Sequence, residues 1–256
     1  MEAIKAIILG IVQGITEFLP ISSTAHLILF RWFFGWEGEI DSLTFDVAIH
    51  GGTLLALLVY FYRDWINLFL NDRRLLLFIA IATIPAGAAG LLLHDIVEHT
   101  LRDPLIIVFS LIGFGVLMLV AEKYGKQKKE SLHTITLKDA IFIGTAQAIA
   151  LIPGVSRSGI TITAGLFRNL KRESAARFSF LLSTPIIGSA VFLEGKNILA
   201  NPDKYNLDIF AMGFISAFIS GFFAIKFLLG FLKRYPLNVF VYYRFILASV
   251  ILFVIL

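Results

Sequence analysis

Gln13 and Glu17 stand four residues apart, the spacing that places two side chains on one face of a helix. An amide oxygen beside a carboxylate is a donor pair for a hard divalent cation, magnesium or calcium. The competing reading is a buried polar pair that braces the fold. Pro20 follows, and then Ser22, Ser23, Thr24 and His26. Proline lacks an amide hydrogen and disfavours helix at Leu19, so the chain breaks there. Ser22 is then a natural cap for a new half-helix, whose free amides suit an anion. His26 lies four residues after Ser22 and three after Ser23, so all three can share a face. An imidazole there can activate a hydroxyl, or act itself as acid, base or nucleophile. Ordinary capping, with His26 bonded to a carbonyl, is the alternative.

A second constellation begins at Gln147 and runs through Pro153, Gly154, Ser156, Arg157, Ser158 and Gly159 to Thr161 and Thr163. Arg157 is the one charge inside this stretch, and a guanidinium forks onto oxyanions with two parallel hydrogen bonds. A Gly–Ser turn with an arginine at a helix start is what an oxyanion-rich ligand needs. A buried ion pair between Arg157 and Glu17 is the plainer reading, and it is also how a working site could rest. The two constellations align: Gly10 with Gly144, Gln13 with Gln147, and, after one residue of gap, Pro20 with Pro153 and Ser23 with Ser156. The pattern predicts a duplicated unit with one shared site.

The elements that carry these residues are greasy. Of 256 residues 58% are hydrophobic and only 16% charged, 25 are Phe, and the mean hydropathy is +0.85. A soluble domain would be near half apolar and a quarter charged, so the composition predicts an all-α integral membrane protein. The absence of cysteine excludes disulfides and thiolate metal sites. The net charge of +4 sits in short loops, which suits membrane topology and not a nucleic-acid face. The first apolar stretch carries Glu17 and no small-residue cleavage pattern, so no cleaved leader is expected.

Six segments are long enough to span a bilayer: about 45–62, 75–93, 104–122, 173–194, 208–229 and 238–256. Two more, about 1–34 and 138–170, are apolar but interrupted, and they read as re-entrant hairpins. The expected architecture is one membrane domain over 1–256, with six transmembrane helices and two re-entrant hairpins. An inverted repeat relates about 1–122 to about 138–256. With residues 1–44 on one side, fifteen Lys and Arg collect in the loops of the opposite side and five on the first. Basic loops stay cytoplasmic, so both termini are expected outside. His50, Gly51, Gly52 and Thr53 are placed to line the cavity or to pack helices closely. Ser179, Ser183, Thr184 and Pro185 read as a kink or tight packing. Arg244 calls for a buried partner, and His94 and His99 are assigned no role.

The stretch from Gln13 through Glu17 and Pro20 to His26 resembles the first signature of the bacitracin-resistance family of undecaprenyl-diphosphatases. Pro153-Gly-Val-Ser156-Arg157-Ser158-Gly159 is similar to the second, and Phe178-Ser179-Phe-Leu-Leu-Ser183-Thr184-Pro185 to a further family stretch. The resemblance implies a membrane phosphatase that hydrolyses undecaprenyl diphosphate to the monophosphate carrier of cell-wall precursors. It implies a divalent cation (Mg2+ or Ca2+) and action at the outer face of the cytoplasmic membrane. By motif position Glu17 would bind or orient the metal with Gln13, and Ser23 or His26 would attack phosphorus or activate the attacker. Arg157 would hold the diphosphate, with Ser22, Thr24, Ser156, Ser158 and Thr161 adding hydrogen bonds. The family also admits glutamate at the place of Gln13, so glutamine here removes one anionic ligand. The expected partners are the prenyl diphosphate and the bilayer, with no nucleic acid; a homodimer is left open. Transport of a lipid phosphate or other anion through the same inverted-repeat site is the competing class.

Overall fold

The structure is a computed structural model that describes residues 1–93, 101, 103–200 and 204–255, the side chains of 197 and 199 excepted. His94, His99 and Arg102 lie outside the described residues. Among the described residues the chain forms eleven α-helices: α1 (Glu2–Phe18), α2 (Ser23–Phe34), α3 (Leu43–Tyr60), α4 (Tyr62–Leu70), α5 (Arg73–Leu92), α6 (Pro104–Tyr124), α7 (Leu137–Ile149), α8 (Arg157–Phe167), α9 (Arg172–Ala200), α10 (Leu207–Leu232) and α11 (Asn238–Ile255). Six of them, α3, α5, α6, α9, α10 and α11, are long and apolar enough to cross a membrane. These are the six segments expected from the sequence. Residues 63–70, expected as loop, belong instead to the short helix α4, which turns Ile66, Phe69 and Leu70 outward. Ser183 and Thr184 bond back to the carbonyls of Ser179 and Phe180, so α9 runs on through Pro185 as one helix.

The two interrupted regions are helix–break–helix units. Leu19 takes the extended conformation (φ −68°, ψ 141°) that a following proline imposes and ends α1. The arms α1, α2, α7 and α8 have 17, 12, 13 and 11 residues, each short of the ~20 that a crossing requires. α1 packs along α10, and α7 along α5. Both contacts are backbone-close at matching glycines. A Cβ on Gly10 would lie 2.3 Å from the Gly213 carbonyl oxygen, and one on Gly144 2.2 Å from that of Ala82.

The breaks align without the gap that the prolines suggest. Ser22 and Ser156 occupy the same place, one residue before α2 and α8, with φ of 76° and 71°. Ser23 and Arg157, Arg73 and Leu207, and Pro104 and Asn238 begin paired helices at the spacing that separates Gln13 from Gln147. The register is set by the positive-φ serine that starts the second arm, while each proline sits where its own loop permits.

Basic loop residues gather at one end of the bundle. Arg177 pairs with Asp64, Arg172 with Glu122, and Lys129 and Arg168 converge on Asp139. Asp139 is fully buried near the start of α7, outside the six spans, and also accepts bonds from the Thr136 amide and hydroxyl. Burial works to raise this carboxyl. The Lys129 ammonium, the Thr136 amide, the Arg168 guanidinium and the Thr136 hydroxyl outweigh it and hold it at about 2, below its ordinary 3.8. The folded form therefore prefers the ionised group. Its stabilisation is present above about pH 4 and is lost as pH falls toward 2. Asp139→Asn is expected to cost about 2 kcal/mol, since it removes the negative charge and one of the two acceptor oxygens that two partly exposed cations and a helix cap share. Thermal unfolding in detergent at neutral pH measures the loss, and the variant's unfolding should depend less on pH between 4 and 2.

Candidate active site

The two breaks meet. The Gly154 amide donates to Ser22 Oγ at 3.2 Å, and Ser158 Oγ donates to the Leu19 carbonyl at 3.2 Å. Ser22, expected as a helix cap, makes no capping bond with its side chain and serves this link instead, whereas Ser156 Oγ does cap α8 through the Gly159 amide. Behind both loops lies Arg244 of α11, wholly buried. Its Nε donates to Leu111 O, Nη1 to Pro20 O and Val155 O, and Nη2 to Ser110 O and Gly154 O, all within 2.8–3.3 Å. The buried partner of Arg244 is thus a ring of five backbone carbonyls drawn from both breaks and from α6. Nothing local in the sequence foretells it.

Between the breaks a cavity of about 30 Å³ is lined by Glu17, Ser22, Ser23, Thr24, Ala150, Ile152, Ser156 and Arg157. Among these, the Glu17 carboxylate has polar neighbours on both oxygens. Oε2 accepts from Ser23 Oγ at 2.6 Å and from Gln13 Nε2 at 3.0 Å, and faces His50 Nε2 at 3.6 Å. Oε1 faces Arg157 Nη1 at 3.3 Å, without the alignment of a hydrogen bond. The guanidinium is held beside the acid with its donors uncommitted. Glu17 and Arg157, 140 positions apart in the chain, therefore share one pocket, as the paired constellations require.

His26 is engaged elsewhere. Its Nδ1 lies 2.6 Å from the Ser22 carbonyl, so that nitrogen carries the hydrogen, and Nε2 meets the Tyr243 hydroxyl at 2.7 Å. The two rings also stack, with centroids 5.7 Å apart and planes 11° apart. The imidazole bonds a carbonyl and a phenol but neither serine hydroxyl. Thr161 is fully buried; its hydroxyl pairs with Ser179 and the Arg157 carbonyl. Ser158 and Thr161 thus support the second break and do not line the cavity. Tyr243 and Arg244 are neighbours in an otherwise apolar span, more than 200 positions from the first break, and nothing in their own stretch ties them to the site.

Among the described residues no three His, Asp or Glu side chains form a ready metal cage. Gln13 Oε1 is, however, buried with no partner. A buried acceptor in that state needs a cation or water. With the Glu17 carboxylate it suits a magnesium-like ion that takes its remaining oxygens from a ligand and from water.

Residues 6–250 match the family model described as "Bacitracin resistance protein BacA". An undecaprenyl-diphosphatase of Thermodesulfovibrio yellowstonii is 60% identical over 250 residues, covering 98% of this chain and 96% of that protein. Undecaprenyl-diphosphatases of Caldicellulosiruptor bescii and Desulforudis audaxviator are 47% and 46% identical, each match covering 98% of this chain and 97% of the relative.

Proposed function

The chain belongs to the BacA family of bacitracin-resistance proteins, and from that membership we propose how its buried site removes the terminal phosphate of undecaprenyl diphosphate. The protein is an undecaprenyl-diphosphatase, and its products are undecaprenyl phosphate and inorganic phosphate. One observation carries the route: a single carboxylate, Glu17, accepts the Ser23 hydroxyl at 2.6 Å while standing 3.3 Å from Arg157. The cavity now holds little more than a water. The headgroup enters by drawing Arg157 from Glu17 onto its own oxygens, and the freed acid then has Ser23 as its nearest donor.

Ser23 Oγ attacks the terminal phosphorus as its proton passes to Glu17, and the bond to the bridging oxygen breaks, releasing undecaprenyl phosphate. Water then attacks the phosphoserine, frees phosphate and restores the serine hydroxyl. Arg157 stabilises the charge that builds on the phosphoryl oxygens in both steps. The amides at the start of α8 add to it. Ser156, Ser22 and Thr24 line the headgroup's path. His26, fixed between the Ser22 carbonyl and Tyr243, holds the start of α2. A divalent cation at Gln13 and Glu17 would neutralise phosphoryl charge. We read both termini, and with them the mouth of the cavity, as lying outside the cytoplasmic membrane, a placement that the loop charges support.

Purified protein in detergent should release phosphate from undecaprenyl diphosphate, and chelation of divalent cations should lower the rate at least tenfold, with recovery on adding magnesium or calcium. Ser23→Ala should fall to background while keeping its helical circular dichroism. Wild-type turnover by a folded Ser23→Ala variant would exclude the serine as attacker.

A further inference from the structure

The two repeats pack their first arms differently, and the difference leaves one face open. α1 runs on to Phe18, which is buried with its ring edge-on to Phe180, centroids 5.4 Å apart. That ring covers Gly221 of α10: a Cβ built there would stand 3.0 Å from Phe18 Cε2. Gly14 permits the approach, since a Cβ on it would lie 2.6 Å from both the Ala217 carbonyl oxygen and the Gly221 amide nitrogen. By the repeat spacing, Gly14, Phe18 and Gly221 correspond to Ala148, Ile152 and Gly87. Ala148 carries the methyl that Gly14 lacks, so α7 cannot come equally near α5 at this turn. α7 stops at Ile149, and Ile152 goes instead into the wall of the cavity between the breaks. Gly87 is thereby left without the cover that Phe18 gives Gly221. Among the described residues nothing lies within 4 Å of a Cβ built on it.

This open notch adjoins the reaction cavity. Of the residues that line the cavity, only Ala150 and Ile152 are apolar. Leu151, between them, reaches α5, where its Cδ2 is 4.0 Å from a Cβ built on Gly90, on the same face as Gly87. Ile84 and Leu91, one turn to either side of Gly87, are exposed and wall the notch with hydrocarbon. The way from the cavity to the notch is therefore apolar from its first step. An apolar hollow of about 350 Å³ between α3, α9 and α10 shares no lining residue with the cavity. A prenyl diphosphate needs a continuous apolar path, because its charged end must reach Arg157 while its branched tail stays off water and off the polar walls. We infer that the notch at Gly87 receives the part of the prenyl tail nearest the headgroup, and that Gly87 is a specificity-determining residue for long-chain substrate. Glycine keeps open in the second repeat the space that Phe18 fills in the first. The inference rests on the hydrolase reading above and names where that substrate's tail lies.

The test fills the notch. Gly87 sits inside α5 with no positive φ, and a Cβ there meets nothing, so larger side chains enter without straining the fold. In detergent, KM for undecaprenyl diphosphate should rise about tenfold in Gly87→Leu, the loss of roughly two buried methylenes, with kcat within about twofold of wild type. Gly87→Phe should raise KM further, and Gly87→Ala should fall between wild type and leucine. Gly230→Leu, at an equally uncovered glycine of α10, controls for added bulk and should keep the wild-type KM. An unchanged KM in Gly87→Leu and Gly87→Phe overturns the inference and leaves the notch to bilayer lipid. A fall in kcat without a rise in KM overturns it as well, since that marks a distorted cavity, and so does an equal rise in Gly230→Leu. Should the phenylalanine variant not fold, the alanine and leucine variants decide alone. A wild-type protein that releases no phosphate from the lipid would fail the hydrolase reading instead. Calorimetric binding of undecaprenyl phosphate to the same variants then judges the notch by itself: a weakened Kd in Gly87→Leu supports it, and an unchanged one overturns it.

Discussion

Arg157→Ala should release phosphate from undecaprenyl diphosphate at least a thousandfold more slowly than wild type while remaining a folded membrane protein. The rate follows from the chemistry. Phosphoryl transfer depends heavily on neutralising the equatorial oxygens in each step, and an arginine in that role is worth 10³ or more. The retained fold follows from the structure. Nη1 of Arg157 is 3.3 Å from Glu17 but bonds nothing, and the carboxylate keeps Gln13, Ser23 and His50 as neighbours. Little stability is therefore invested in the guanidinium. Arg157→Lys should recover only a small part of the rate, since a point charge cannot fork onto two oxygens. Phosphate release and thermal unfolding, measured on the same preparations, check both halves. Turnover within tenfold of wild type would refute the role of Arg157, and a collapsed melting midpoint would recast it as structural.

That a site exists, and which residues flank it, was legible because proline and hydroxyls stand out against 58% hydrophobic sequence. Helix spans were legible for the same reason: an apolar run between charged loops admits few alternatives. The contacts of each side chain were not. Helical spacing places His26 beside Ser22 and Ser23, yet the ring turns to a carbonyl and to Tyr243, which arrives from the last helix. The acid that receives the Ser23 hydroxyl lies across the break, six residues back, where chain direction and not helical spacing decides the geometry. The repeat register slipped by one because prolines were aligned, whereas the conformation that recurs is a positive-φ serine, and no composition rule marks serine for that backbone. His50 showed only as a polar residue among small ones; its relation to Glu17 depends on how α3 crosses α1.

Arg244→Ala should be the most destabilising single change in the chain, costing on the order of 4 kcal/mol or more, and should end activity through loss of the fold at the breaks. A charged side chain with no carboxylate beside it is rarely kept in a protein interior. Here it is kept because five carbonyls point at it, three of them (Pro20, Gly154 and Val155) from the two loops whose backbone leaves the helical ladder. Alanine removes all five donors at once and leaves a void behind them, and neither water nor lipid can fill both needs. Arg244→Lys should be milder but still harmful, since an ammonium has three hydrogens to share among five acceptors. Arg244→Met tests the reasoning most sharply. It restores volume without donors, so a melting midpoint close to that of alanine assigns the cost to unpaired carbonyls, and one close to wild type assigns it to packing. The first outcome is expected. The cavity that Glu17, Ser23 and Arg157 line is the space left between two breaks, and Arg244 holds those breaks at that separation. Activity should therefore fall in step with folded protein in the three variants, unlike Arg157→Ala, where the two separate.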